Sequence, residues 1–177
     1  DIPQIQGELT KAFAGWTGGV ALPASLPATP GDTAKEQVVF MPEKTSVSVV
    51  FAQPSLLRYG QPDYQALRVA TAILGSGFTG RLMGNVRDKE GLTYGIGAQL
   101  ANDTFSDGDF RIAGTFAPNL LDKGIASTQK QLSLWYNDGV SDKEVSDRKT
   151  NLIGRYKVAL ATTDGMANQL MVTVHRG

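Results

Sequence analysis

The order of hydrophobic patterns along this chain predicts an α+β fold, an antiparallel sheet with helices packed on one face. Three observations lead there. Alternating apolar and polar residues cluster at 37–53 and again at 94–116. Helical periodicity fills the stretches between and after them. An Asp-Gly pair at 107–108 joins the last two strand-like runs, as in a hairpin. Clustered strands and clustered helices point away from the strict alternation that a parallel sheet requires.

The elements are expected in this order. Ile5, Leu9 and Phe13 recur every four residues, so a short helix is expected to end near Trp16, stopped by Gly18 and Gly19. Pro23, Pro27 and Pro30 lie among small residues and mark a linker or extended arm over 20–34. A strand is expected at 37–40. A better one spans 45–53, where Val47, Val49 and Phe51 alternate with Ser46, Ser48 and Val50. Pro62 suits a first helical turn, and that helix runs to about Leu74 with Leu67, Ala70 and Leu74 on one face. After the turn GSGF, Thr79 is a candidate N-cap for a helix carrying Leu82 and Val86, with Gly91 as its stop. The runs 94–100 and 110–116 form the hairpin. Pro118 opens a long helix with the stripe Leu121, Ile125, Thr128, Leu132 and Trp135. Ser141 and Glu144 fit a capping box for the next helix, whose inward residues are Val145, Leu152, Tyr156 and Leu160. Thr163 or Asp164 is expected to cap a last helix beginning near Gly165.

Composition bounds the function. The chain has 177 residues, 41% of them apolar, which suits one domain with a sizeable core. Seventeen basic residues balance seventeen acidic ones, so no basic surface is available to displace counterions from nucleic acid or to hold an anionic membrane. No apolar run is long enough to span a bilayer. There is no cysteine, which removes disulfides, thiolate nucleophiles and Cys-based zinc sites. These features suit a bacterial periplasmic or secreted protein; the cytoplasm is compatible too.

The stretch 75–94, GSGFTGRLMGNVRDKEGLTY, holds the residues with chemical promise. Gly75, Gly77 and Gly80 match the dinucleotide fingerprint, but that motif needs a preceding strand, and here a helical pattern precedes it. A turn between two helices, or glycine amides lying close to a peptide, are the other readings. Arg87 on the last turn of the expected helix and Tyr94 just beyond it can both donate hydrogen bonds to a carbonyl oxygen. A structural role is also open to each. Arg87 can complement the helix dipole and pair with Glu90. Tyr94 shares strand parity with Ile96, Ala98 and Leu100, and so reads equally as a core aromatic. His175 is the only histidine. It can complete neither a zinc site nor a Ser-His-Asp relay. Asp103, Asp107 and Asp109 cluster at the hairpin tip and read as solvated turn residues.

Residues 70–96 carry the pattern A-x-x-I-L-G-S-G-F-T-G-R-L-x-x-x-V-R-x-K-E-G-L-T-Y. This pattern resembles the M16 family of zinc metallopeptidases, which includes pitrilysin, insulin-degrading enzyme and the mitochondrial processing peptidases. The order of elements resembles that family more loosely over most of the chain. The resemblance implies the LuxS/processing-peptidase-like α+β fold of the family's halves, which close around a peptide. One half carries the zinc and an inverted zinc motif; the other lacks metal and contacts substrate. This chain resembles the metal-free half. It is therefore expected to bind no cofactor itself and to be catalytically inert alone, with no catalytic residue of its own. Its partner is a zinc-bearing half, on the same polypeptide or another, and its ligand a peptide. Arg87 and Tyr94 match the family's arginine and tyrosine that reach toward the zinc and the substrate carbonyl. Gly75, Ser76, Gly77 and Phe78 fall where processing peptidases carry a longer glycine-rich, substrate-contacting loop. By the same resemblance, 1–34 is expected to be the tail of a preceding half, and 35–177 the metal-free domain, ending before its last strand and helix. The competing expectation is a catalytically silent scaffold, as in the core subunits of the respiratory bc1 complex.

Overall fold

The computed structural model describes residues 1–19 and 33–176. In chain order the elements are α1 (Ile2–Phe13), β1 (Val47–Pro54), α2 (Tyr64–Gly75), a π-helix (Met83–Lys89), β2 (Thr93–Ala101), β3 (Asp109–Phe116), α3 (Leu121–Asp138), α4 (Asp142–Leu160) and α5 (Thr163–Arg176). β3 lies between β1 and β2 and is antiparallel to both. The expected hairpin is β2–β3.

α2, the π-helix and α3 cover one face of this sheet, with α4 packed on α2. Phe110, Ile112 and Phe116 of β3 and Ile96 and Ala98 of β2 point the same way, as alternation dictates. They meet Leu74 of α2 and Leu82, Met83 and Val86 around the π-helix. Val49, Phe51, Leu121, Leu132 and Trp135 close the periphery. Trp135 stacks on Phe110 with ring centroids 5.7 Å apart, and its indole N–H donates to the Ala70 carbonyl at 2.9 Å. That bond lets a half-buried tryptophan satisfy its one donor. The opposite face carries Ser48, Val50, Ala113, Thr115 and Gln99, all exposed.

Local signals of the sequence are visible in the fold. The Ser141–Glu144 capping box is made: the Ser141 hydroxyl accepts from the Glu144 N–H, and the Glu144 carboxylate accepts from the Ser141 N–H at 2.9 Å. Several expectations are corrected. Residues 37–40 form no strand; Val38, Val39 and Phe40 are exposed. β1 pairs with β3 alone, so no ladder reaches this segment, and an apolar run without a partner strand does not hold as sheet. The first helix ends at Phe13 rather than near Trp16. Thr79 caps nothing, because the segment after it winds as a π-helix with no side-chain cap. The cap of α5 is Thr162, whose hydroxyl accepts from the Gly165 N–H at 3.1 Å. Tyr156 is exposed although it lies on the expected inward stripe of α4. Of the linker expected at 20–34, residues 20–32 lie outside the described residues.

The three aspartates at the hairpin tip are not simply solvated. Asp103 is buried, accepts a hydrogen bond from the Tyr64 hydroxyl, and meets the Arg176 guanidinium at 3.4 Å. Burial and this carboxylate together push the Tyr64 phenol above its ordinary pKa. Asp107 pairs with Arg58 and Asp109 with Arg111, each at 2.6 Å.

Candidate functional site

The glycines of the 75–80 turn are explained by packing. α2 ends against β2 so closely that a Cβ on Gly75 would overlap the Ala98 backbone nitrogen and stand 2.7 Å from the Ala98 Cβ. Gly80 folds back on Gly75, where a Cβ would come within 2.9 Å of its Cα. Between them Gly77 has φ +68°, a conformation that favours glycine. A helix, not a strand, precedes the turn, so the dinucleotide reading fails for the reason its mechanism requires.

Two arginines brace the turn and the π-helix beyond it. Arg148 of α4 is buried, and its Nη1 donates to the Ser76 carbonyl at 3.0 Å. Burial, with the nearby Arg155 charge, lowers its pKa. Arg81 forks onto Glu144 (Nε to Oε1 2.7 Å, Nη2 to Oε2 2.8 Å), and its Nη2 also reaches the Gly139 carbonyl at 3.0 Å. The Arg81 guanidinium and the capping bonds from Ser141 hold the Glu144 pKa at about 2 against burial, which works the other way. The start of the π-helix is thereby tied to the start of α4.

Tyr94 is where the fold departs from simple alternation. β2 carries a bulge between Thr93 and Gly95: Thr93 pairs with Phe116, and Gly95 with the adjacent Thr115. Tyr94 is the extra residue. Its side chain is 89% exposed, whereas Ile96 and Ala98 are buried. The core-aromatic reading of Tyr94 is therefore wrong, because the bulge breaks the parity on which it rested. Thr93 locks the bulge: its hydroxyl accepts from the Gly95 N–H at 3.2 Å and donates to the Thr115 carbonyl.

Arg87 lies on the π-helix, and its Cζ sits 5.5 Å from the Phe78 ring centroid and 5.7 Å from that of Tyr94. Its expected partner Glu90 is not engaged; among the described residues its only ion pair is a 3.5 Å contact with the adjacent Asp88. The residues singled out in sequence thus converge. The turn 75–78 presents Phe78, 74% exposed, beside Arg87 and Tyr94 on one open surface. Such a surface presents a phenol, a guanidinium and an aromatic ring to solvent, groups able to donate hydrogen bonds and to stack. The sequence pattern did not single out Arg148. Its signal is the inward position it occupies between Val145 and Leu152.

Nothing on the described residues fits zinc. Among them no group of three His, Asp or Glu side chains could hold a metal ion. His175 lies edge-on to the Phe105 ring, 4.8 Å between centroids, far along the sequence from the 75–94 segment. Among the described residues no helix is long and apolar enough to cross a membrane.

A family model described as the peptidase M16 inactive domain matches residues 1–152. Among solved structures, the peptidase M16 inactive domain from Pseudomonas fluorescens is 30% identical over 63% of this chain and 27% of that chain, with a TM-score of 0.59. The inactive peptidase domain of a protein assigned as a zinc protease from Bordetella parapertussis is 18% identical over 79% of this chain and 75% of that one, with a TM-score of 0.62. The periplasmic protease PqqL from Escherichia coli is 16% identical over 97% of this chain, with a TM-score of 0.66, and this chain covers 19% of it. The chain thus spans about a quarter of the Pseudomonas fluorescens protein and a fifth of PqqL. No curated protein is significantly similar to it.

Proposed function

Since the chain belongs to the peptidase M16 inactive-domain family, we propose that it is the non-catalytic, substrate-binding half of a zinc peptidase. The bond-breaking chemistry belongs to a complementary, zinc-bearing half, in the same polypeptide or a separate one. This half supplies a wall of the chamber and two contacts. Tyr94 donates its phenolic hydrogen to the carbonyl oxygen as charge builds on it, and Arg87 holds neighbouring substrate carbonyls. The substrates are peptides and unfolded segments, because an enclosed site admits extended chain. Similarity to a periplasmic protease and the absence of cysteine support placing the assembly in the periplasm.

One observation carries this reading. Tyr94 is expelled from the sheet by a bulge and left 89% exposed beside an arginine whose in-plane donors are almost unused. Exposure alone would not mark it, since Tyr136 is 79% exposed as well; the bulge that turns Tyr94 out beside Arg87 does. Bulges commonly re-aim a side chain beside an active site.

Photo-crosslinking tests the contact. A benzophenone side chain replaces Tyr94 in the assembly with the zinc-bearing half, which is inactivated by chelation so that peptide persists. Position 94 is expected to capture an unfolded peptide. Position 136, an exposed tyrosine on α3, serves as the control and is expected not to. Equal capture at both positions, or none at 94, removes the contact and favours the scaffold alternative.

A further inference from the structure

We infer that Phe78 is a positioning residue for Arg87, holding the guanidinium beside its ring so that most of its N–H donors stay free for substrate. The inference rests on the substrate-binding reading above.

A guanidinium has two distinct surfaces. Its face is weakly hydrated and stacks on aromatic rings; its edge carries five N–H donors in a fixed plane. A carboxylate partner would occupy the edge. Here the rings of Phe78 and Tyr94 take the group instead, at 5.5 and 5.7 Å. Among the described residues the edge has only the 3.5 Å contact with Asp88. Arg87 is therefore held with most of its donors unspent.

Phe78 is fixed for that purpose from behind. Gly75 packs on Ala98, Gly80 folds onto Gly75, and buried Arg148 holds the Ser76 carbonyl. A turn braced at so many points carries a phenylalanine that is itself 74% exposed and contributes nothing to the core. Its ring meets Arg87. Tyr94 alone would leave the arginine tethered to the residue that must meet the carbonyl; Phe78 supplies an independent hold.

The test has two arms. In the chain by itself, the Arg87 Nε–H proton resonance reports ring currents; it is assigned by its disappearance in Arg87→Gln. Phe78→Leu is expected to move it downfield toward free arginine, and Phe78→Tyr to restore it. In the assembly with the zinc-bearing half, Phe78→Leu is expected to lower kcat/KM about 2- to 5-fold, mainly through KM, as loss of an exposed cation–π contact predicts. Phe78→Tyr is expected to recover most of that loss. Neither variant touches a core side chain, so folding is not at issue. A resonance that Phe78→Leu leaves in place overturns the inference, as does equal loss of kcat/KM in the leucine and tyrosine variants. If Arg87→Gln abolishes turnover and Phe78→Leu does not change it, Phe78 is idle and the substrate-binding reading survives. If Arg87→Gln itself leaves turnover unchanged, that reading falls, and the positioning role falls with it.

Discussion

The Arg81 guanidinium and the Glu144 carboxylate meet as two parallel forks at 2.7 and 2.8 Å, across 63 residues of sequence. The same carboxylate closes the capping box of α4. One side chain thus fixes the start of α4 to the segment that leads into Arg87.

This coupling predicts a pH dependence. The folded Glu144 pKa of about 2 lies below its ordinary value of 4.5. Its contribution is therefore complete above the unfolded pKa and is lost as pH falls from about 4.5 toward 2. The pair is partly exposed, with side-chain accessibilities of 23% and 33%, so screening reduces its worth. We expect Glu144→Gln to cost about 1–2 kcal/mol at neutral pH and almost nothing at about pH 2. Urea unfolding of both proteins across that range measures the difference; a gap that does not narrow in acid contradicts the assignment.

Gly75→Ala should destabilise the fold, because its methyl group would meet the backbone of β2 rather than a movable side chain. A loss of about 2–3 kcal/mol is expected, as for overpacking of a tight core. Gly84→Ala is the contrast. A Cβ there meets nothing within 4 Å, so alanine is expected to be neutral or stabilising by up to about 1 kcal/mol. Thermal unfolding of the two variants separates close approach from mere helix propensity.

Thr93→Val should loosen the bulge. The substitution keeps the shape and removes the hydroxyl that serves Gly95 and Thr115. A cost of about 1–2 kcal/mol is expected. Hydrogen exchange at the Gly95 amide should accelerate more than exchange in the centre of β3. Unchanged protection at Gly95 would show that the backbone, not Thr93, sets the position of Tyr94.

What the sequence made legible was local. Asp107-Gly108, the Ser141–Glu144 box and the alternation of β3 are each decided within a few residues, and each appears where expected. The 75–78 turn, Arg87 and Tyr94 are legible as parts of one motif through resemblance; their meeting on one surface is not, because it depends on the bulge and on the π-helix. What stayed hidden depends on distant partners. Asp103 is buried because Tyr64 and Arg176 come to it from 39 and 73 residues away. Residues 37–40 look like a strand but find no strand to join. Tyr94 takes the wrong parity until the register against Phe116 and Thr115 reveals the extra residue. Arg148 has the look of a surface charge on α4, although it fills an inward position and holds the Ser76 carbonyl.

The central claim is that Tyr94 acts on the substrate carbonyl during peptide cleavage. The measurement that tests it most directly is steady-state peptide hydrolysis by the assembly with its zinc-bearing half, zinc-saturated, with Tyr94→Phe beside the unmodified chain. Phenylalanine keeps the ring and its contact with Arg87 and removes one hydrogen-bond donor. A fall in kcat on the order of 100-fold, with little change in KM, is the predicted result. Unchanged turnover in an active assembly would contradict it and leave this domain a structural wall.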